Sequence, residues 1–190
     1  MSTYEPSKEE VRATLTIGSL IAPFYSGYIK RLGLQGTERV LDYGSGSGVC
    51  SKHLAARLQK GGHLTCVDVS RTWNSVIQNT LRKYSNVDTC VLDLTDAQAA
   101  KQLPDSAFDA VFIHFVLHDI PAQERPIIVQ RLVEMLVNGG KLYMREPLEP
   151  GGMTSAEMRQ VLKDAGLRLT SSRHEKTWYA GEMFEGVFQK

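Results

Sequence analysis

The sequence has little of what marks a secreted, membrane-spanning or nucleic-acid-coating chain. Its three cysteines, Cys50, Cys66 and Cys90, are too few and too scattered for a disulfide framework or a CxxC metal knuckle, which favours a reducing, intracellular setting. Neither sign of charge is in excess: 22 Lys and Arg stand against 21 Asp and Glu, a formal net charge of +1. A basic surplus that would hold nucleic acid or an anionic membrane is therefore missing, and partners must be argued from a site. No run of about eighteen apolar residues occurs; the most apolar stretch, Ala110 to Leu117, is short and contains His114. The opening MSTYEPSKEEVRATL carries Glu and Pro in place of a basic patch and an apolar core. No signal peptide is expected, and the expected location is cytoplasmic. Repeats of fixed period, low-complexity tracts and long charge runs are also missing.

What is present is the composition of a globular domain: 190 residues, 42% hydrophobic and 23% charged, with 16 Gly and 7 Pro spaced to suit alternating strands and helices. Residues 1–36 differ in kind. An apolar, aromatic-bearing segment from Ile17 to Ile29 with Pro23 inside reads as two short helices broken near Pro23, an expected cap or lid on a domain spanning 37–190. Arg39–Tyr43 reads as a first strand, Val49–Gln59 as a helix stopped by Gly61-Gly62, and His63–Val69 as a second strand. Arg71–Tyr84 follows as a helix with Ser70 as N-cap, then Asp88–Leu92 as a third strand. Phe108–Phe115 reads as a buried strand, Ala122–Leu136 as a helix stopped by Asn138-Gly139-Gly140, and Lys141–Arg145 as a fifth strand.

Beyond Pro147 and Pro150-Gly151-Gly152, Thr154 and Glu157 have capping-box spacing for a helix to about Ala165, ended by Gly166. Leu167–His174 and Glu182–Phe188 then follow with no helix between them, joined across Trp178-Tyr179-Ala180-Gly181 as an antiparallel edge hairpin. The expected fold class is α/β, a doubly wound, mostly parallel seven-stranded sheet ending in that hairpin. Such sheets bind ligands outside the carboxyl ends of their strands.

Asp42-Tyr43-Gly44-Ser45-Gly46-Ser47-Gly48 joins the first strand to the first helix, where glycines let backbone N–H groups approach a ligand. A dinucleotide fingerprint needs GxGxxG, but the sixth position is Val49 counted from Gly44 and Ser51 counted from Gly46. A Walker loop needs GK[ST], and no Lys directly follows the last glycine. A carboxylate two positions before GxGxG suits a ligand carrying a cation and repels a pyrophosphate.

VLDYGSGSG resembles the first motif of class I S-adenosylmethionine-dependent methyltransferases, and the resemblance extends over roughly residues 38–145. It implies S-adenosylmethionine as cofactor, held by Asp42, Tyr43, Gly44, Ser45, Gly46 and Gly48 against its methionine part. It also implies that Asp68, followed by Val69 in CVDVS, grips the ribose hydroxyls. The spacing of Asp68 fits a nicotinamide site as well, so an NAD-dependent oxidoreductase is a weaker alternative. VLDL resembles the third-strand end of the family, implying that Asp93 accepts from the adenine amino group while the Leu94 amide donates to the ring. Trp73 stands where the family often has a large apolar residue beside the adenine, helix-to-sheet packing being the other reading. PDSAFDAV and VNGGKL resemble the approaches to the fourth and fifth strands, although the family usually has Pro at the Asn138 position.

Methyl transfer from a sulfonium is an in-line displacement that demands alignment, and it needs a general base only when the acceptor holds its proton. Candidates lie in FIHFVLHDIP. His114 ends the fourth strand, where the resemblance implies contact with cofactor or acceptor. His118, four residues on, is the candidate base, and one helical turn would put both imidazoles on one face. That spacing is also a metal-pair spacing, but no third ligand accompanies it and no metal is expected. Glu146 in Arg145-Glu146-Pro147 either binds a cationic acceptor or pairs with Arg145. Tyr25 and Tyr28, with Phe24, are expected to wall the acceptor pocket, packing against the sheet being the alternative. The chain lacks an Asn/Asp-Pro-Pro-Tyr sequence after the fourth strand, which the resemblance associates with amine or amide acceptors in nucleic acid and protein. The expected partner is accordingly a small-molecule acceptor and not nucleic acid, with a monomer or homodimer as the assembly. A catalytically silent cofactor-binding module or partner subunit is the alternative from another class.

Overall fold

The computed structural model describes residues 5–148 and 152–190. It divides into two compact units, one ending at Leu92 and one spanning Asp93–Lys190. The first contains helices α1 (Lys8–Leu20) and α2 (Ala22–Arg31), strand β1 (Arg39–Tyr43), α3 (Ser51–Arg57), β2 (His63–Asp68), α4 (Arg71–Leu81) and β3 (Val87–Val91). The helices expected as a cap thus belong to the same unit as the first three strands.

β1 pairs in parallel with β2, and β2 with β3, so that Asp42 lies opposite Cys66 and Asp68 opposite Val91. Leu41, Leu54, Leu64, Val67 and Ile77 are buried on and beside these strands, as a sheet with covered faces requires. α1 begins with a reciprocal capping box in which the Glu10 N–H donates to Ser7 Oγ and the Ser7 N–H to the Glu10 carboxylate. The break between α1 and α2 falls at Ile21, and Pro23 takes the first turn of α2, where its missing N–H leaves no bond unmade. α4 stops at Leu81, short of the expected Tyr84, because the Tyr84 N–H bonds back to the Leu81 carbonyl in a tight four-residue turn.

The second unit contains α5 (Ala97–Ala100), β4 (Phe108–His114), a 3₁₀ turn (Leu117–Asp119), α6 (Arg125–Met135), β5 (Leu136–Pro147), α7 (Ser155–Asp164), β6 (Arg168–Thr177) and β7 (Gly181–Gln189). β4 and β5 are parallel, while β7 runs antiparallel to both β5 and β6. The sheet order is β3-β2-β1-β4-β5-β7-β6, the doubly wound, mostly parallel architecture with a hairpin at one edge. The Thr154–Glu157 capping box forms as expected and Gly166, at φ +89°, follows the last turn of α7. Pro150 and Gly151 lie outside the described residues.

Three expectations in this unit are corrected. Asn138-Gly139-Gly140 is not a helix stop: α6 ends at Met135 and β5 starts at once, running through the glycines across a register shift between the Phe108–Leu136 and Ala110–Lys141 pairs. α6 begins at Arg125 and not at Ala122. A short helix, α5, precedes β4, started by Asp96 accepting from the Gln98 and Ala99 amides. Among the described residues no helix is long and apolar enough to cross a membrane.

Candidate active site

In the first unit the glycine loop takes a backbone path reserved largely for glycine: Gly44, Gly46 and Gly48 have φ of +71°, +51° and +74°. At Gly48 there is a second reason, since a Cβ would stand 2.5 Å from Ile77 Cγ1 of α4. At Gly46 a Cβ would meet nothing within 4 Å, so open space lies over the middle of the loop. The loop is tied to the end of β2 by the Gly44 and Ser45 amides, which donate to the Val67 carbonyl at 2.8 and 3.1 Å. The Gly46 amide donates to Asp68 Oδ2 at 2.8 Å, and the Ser70 amide to Asp68 Oδ1 at 2.9 Å. Asp68 is thereby held rigidly, with each oxygen keeping capacity for a further donor.

Asp42 is 3% exposed, and one of its oxygens accepts from Ser51 Oγ at 2.5 Å. Burial pushes its carboxyl up to about 7, the Ser51 bond opposing and the Asp68 charge adding to the shift. Asp68 is raised in the same direction, first by burial and despite its backbone hydrogen bonds. Two buried carboxylates with raised pKa, beside an open glycine cradle, form a donor set that a cationic ligand relieves and an anionic one worsens. The site fits S-adenosylmethionine. Trp73, in the first turn of α4, is half-buried.

In the second unit Asp93 accepts from the Thr95 amide and hydroxyl at 2.9 and 2.7 Å, both on Oδ1. This Asx-type turn fixes the carboxylate beside the buried Leu94. His114 closes β4, its ring stacked with Phe112 (centroids 5.8 Å apart) and Phe115 (4.3 Å). Burial, helped by the positive charge of Arg145, lowers the His114 pKa to about 3, so its imidazole is neutral at physiological pH.

Phe115 then adopts φ +59°, a strained geometry for a bulky residue, and turns the chain into the 3₁₀ turn. The amides at the start of that turn point at Glu146, which is fully buried. Its Oε1 accepts from Val116 N (2.9 Å) and Leu117 N (3.0 Å), and its Oε2 from His118 N (3.3 Å) and His118 Nδ1 (2.6 Å). His118 Nε2 lies 3.4 Å from Asp119 Oδ1.

His114 and His118 therefore do not share a helical face, because one ends a strand and the other sits in a 3₁₀ turn beyond a left-handed residue. The Arg145–Glu146 pairing also gives way to another arrangement. Neighbours on a strand face opposite ways, and the ion pairs of Arg145 run to Glu185 (3.1 Å) and Glu175 (3.2 Å). Tyr25 and Tyr28, 6% and 2% exposed, are buried in the first unit, Tyr25 tilted against His53. Sequence reasoning missed Ser51 as the partner of Asp42, Glu146 as the partner of His118, and Glu5, whose carboxylate binds the start of α4. For Ser51 a signal was available: it falls where Asp42 needs a donor, one turn past the glycines.

A sheet of this order, with a glycine loop after β1 and carboxylates closing β1 and β2, is the Rossmann-like fold of class I S-adenosylmethionine-dependent methyltransferases. The chain belongs to the family described as methyltransferase domain, which matches residues 40–140, and this sets the nicotinamide alternative aside. Among curated proteins it is 27% identical over 151 residues to the ubiquinone/menaquinone biosynthesis C-methyltransferase UbiE of Chromobacterium violaceum, covering 76% of this chain and 59% of that protein. It is 26% identical over 147 residues to phosphoethanolamine N-methyltransferase 1 of Arabidopsis thaliana, covering 75% of this chain and 28% of the relative. The chain thus spans 59% or less of the length of these two relatives. A solved S-adenosylmethionine-dependent methyltransferase from Aquifex aeolicus shares the fold, with a TM-score of 0.73 at 19% identity over 87% of this chain and 88% of that one.

Proposed function

We propose that the protein transfers a methyl group from S-adenosylmethionine to a small-molecule acceptor that must lose a proton, with His118 as the general base. The observation that carries this reading is the 2.6 Å bond between His118 Nδ1 and a Glu146 carboxylate that is wholly buried and also accepts three backbone amides. A carboxylate accepting at Nδ1 fixes the proton there and directs the lone pair to Nε2, the tautomer a base requires. Once Nε2 takes a proton, the imidazolium is flanked by Glu146 on one side and Asp119 on the other. Bound cofactor supplies an activated methyl on a positive sulfur; Asp42 and Asp68 hold its charged and hydroxylated parts, and His118 receives the acceptor proton. The near-neutral charge of the chain favours a small acceptor over nucleic acid. The two relatives act, by their names, at carbon and at nitrogen. The test is incubation with labelled S-adenosylmethionine and pools of phenols, carbon acids, amines and tRNA, read by mass. A methylated phenol or carbon acid is the expected product. Cofactor binding with no product from any pool would leave a silent module, and methylated tRNA would replace the small acceptor.

Cofactor affinity should depend on pH. The Asp42 carboxyl, raised from 3.8 to about 7, is partly protonated in the unliganded protein near neutrality. A cation bound beside it favours the ionised form, so binding releases a proton. Affinity for S-adenosylmethionine should rise as pH increases, by up to about tenfold per unit below 7, and level off above it. The same shift has the opposite effect on the unliganded fold, whose stability from this group falls as pH rises from 3.8 through about 7. Calorimetric titrations at pH 6, 7 and 8, in buffers of different ionisation enthalpy, measure both the affinity and the proton. A flat profile with no proton release would contradict this account.

A further inference from the structure

The start of α4 is closed by a residue that none of the cofactor motifs contains. Glu5 Oε1 accepts from the Arg71 amide at 2.8 Å, and its Oε2 from the Thr72 amide at 3.0 Å and from Ser70 Oγ at 2.7 Å. Ser70 Oγ in turn accepts from the Trp73 amide, and the Ser70 amide donates to Asp68. One carboxylate thus completes the set of first-turn amides and locks the turn from Asp68 to Trp73, the part of the chain read as the ribose and adenine side of the site. These bonds hold the Glu5 carboxyl down to about 2.

The same segment reaches the other part of the cofactor site. Pro6 beside Glu5 is buried, and α1 follows immediately. At its far end Gly18 is buried so closely that a Cβ there would stand 2.8 Å from Val49, the residue after the last glycine of the loop. Residues 5–20 therefore press on the exit of the glycine loop at one point and on the Asp68 turn at another.

We propose that Glu5 is a positioning residue for the cofactor, and that residues 5–20 form a clasp across the glycine loop and the ribose turn which must loosen for cofactor or product to leave. This rests on the S-adenosylmethionine reading above. The clasp differs from a simple helix cap in what it controls: a cap stabilises α4, whereas a clasp sets the escape rate of the ligand.

The test uses the full chain and S-adenosylhomocysteine as probe. Glu5→Ala is expected to speed its dissociation in stopped-flow by about tenfold, the scale of lost charge-assisted bonds, with Glu5→Gln in between because it keeps an acceptor oxygen. Gly18→Ala, acting at the other end, should change the dissociation rate in the same direction. Hydrogen exchange on the ligand-free protein supplies an independent readout: the Arg71 and Thr72 amides, bonded to Glu5, should be protected in the wild type and lose protection in Glu5→Ala, with the strands unchanged. Lost protection with an unchanged dissociation rate would reduce Glu5 to a helix cap and overturn the clasp. Retained protection would overturn it by removing the contact. Failure of the wild-type protein to bind S-adenosylhomocysteine would overturn the cofactor reading itself, and the clasp with it.

Discussion

Replacing His118 by alanine is expected to lower kcat by about 10²–10⁴-fold, the range for loss of a positioned general base, while affinity for S-adenosylhomocysteine stays within about twofold of wild type. The asymmetry follows from what His118 is bonded to: its ring and amide meet Glu146 in the turn after β4, whereas the glycine loop is tied to Asp68. Glu146→Gln sharpens the result. Four N–H groups converge on the two carboxylate oxygens, and a glutamine offers one oxygen and one NH₂. The least costly arrangement keeps the Val116 and Leu117 amides on the oxygen and turns the NH₂ towards Nδ1 at the expense of the longer His118 amide bond, which forces the proton onto Nε2 and removes the lone pair the base uses. Glu146→Gln should therefore approach His118→Ala in kcat although the imidazole is still present. Steady-state kinetics on the acceptor found by mass screening, with calorimetry for the product, measure both quantities. If His118→Ala kept kcat within about threefold of wild type, the methyl acceptor would need no base and His118 would be a structural imidazole.

The parts of this site that local sequence reveals are those whose partners lie close by in the chain. Thr154 and Glu157 form their capping box because three residues of helix bring them together, and Gly44 to Gly48 announce a turn that other residues take only with strain. Asp68 was legible for a related reason, as the acidic end of a strand entering a helix. The remaining contacts depend on register. Glu146 reaches the His118 turn because His114 pairs with Arg145 across β4 and β5, so that the next residue of β5 lies level with the chain leaving β4. No spacing rule links positions 118 and 146, and the true start of β5 is hidden in the sequence by Asn138-Gly139-Gly140, which imitates a helix stop. Glu5 is further still, 65 residues from Ser70. An exposed glutamate before a helix reads as solvated surface, and only its contact in space with the start of α4 turns it into a cap. Sequence thus shows which elements form and where the glycine loop and its carboxylates fall, while the orientation of His118 is set by pairing between strands.

Arg145→Met is expected to cost about 3–5 kcal/mol of stability, the scale for breaking a buried ion pair by removing one partner. Arg145 is 1% exposed, and its guanidinium binds Glu185 at 3.1 Å, Glu175 at 3.2 Å and the Tyr179 hydroxyl at 3.0 Å. Arg173 adds a second cation, 3.0 Å from Glu175 and 3.5 Å from Glu185. The two glutamates are not equivalent. The Glu175 side chain is 26% exposed and keeps both water and Arg173, whereas that of Glu185 is 10% exposed and loses its better-placed partner. The cost should therefore fall mainly on Glu185, and the double variant Arg145→Met/Glu185→Leu should recover a large part of it, since replacing both charges leaves no carboxylate stranded. Urea unfolding gives the values, with an unchanged slope indicating that stability and not compactness has moved. A single variant within about 1 kcal/mol of wild type would mean that water or Arg173 already satisfies Glu185. Arg145 precedes Glu146 on β5, so a loosened strand end releases the carboxylate that orients His118. The single variant should lose activity beyond its loss of folded protein, and the double variant should regain it in step with stability.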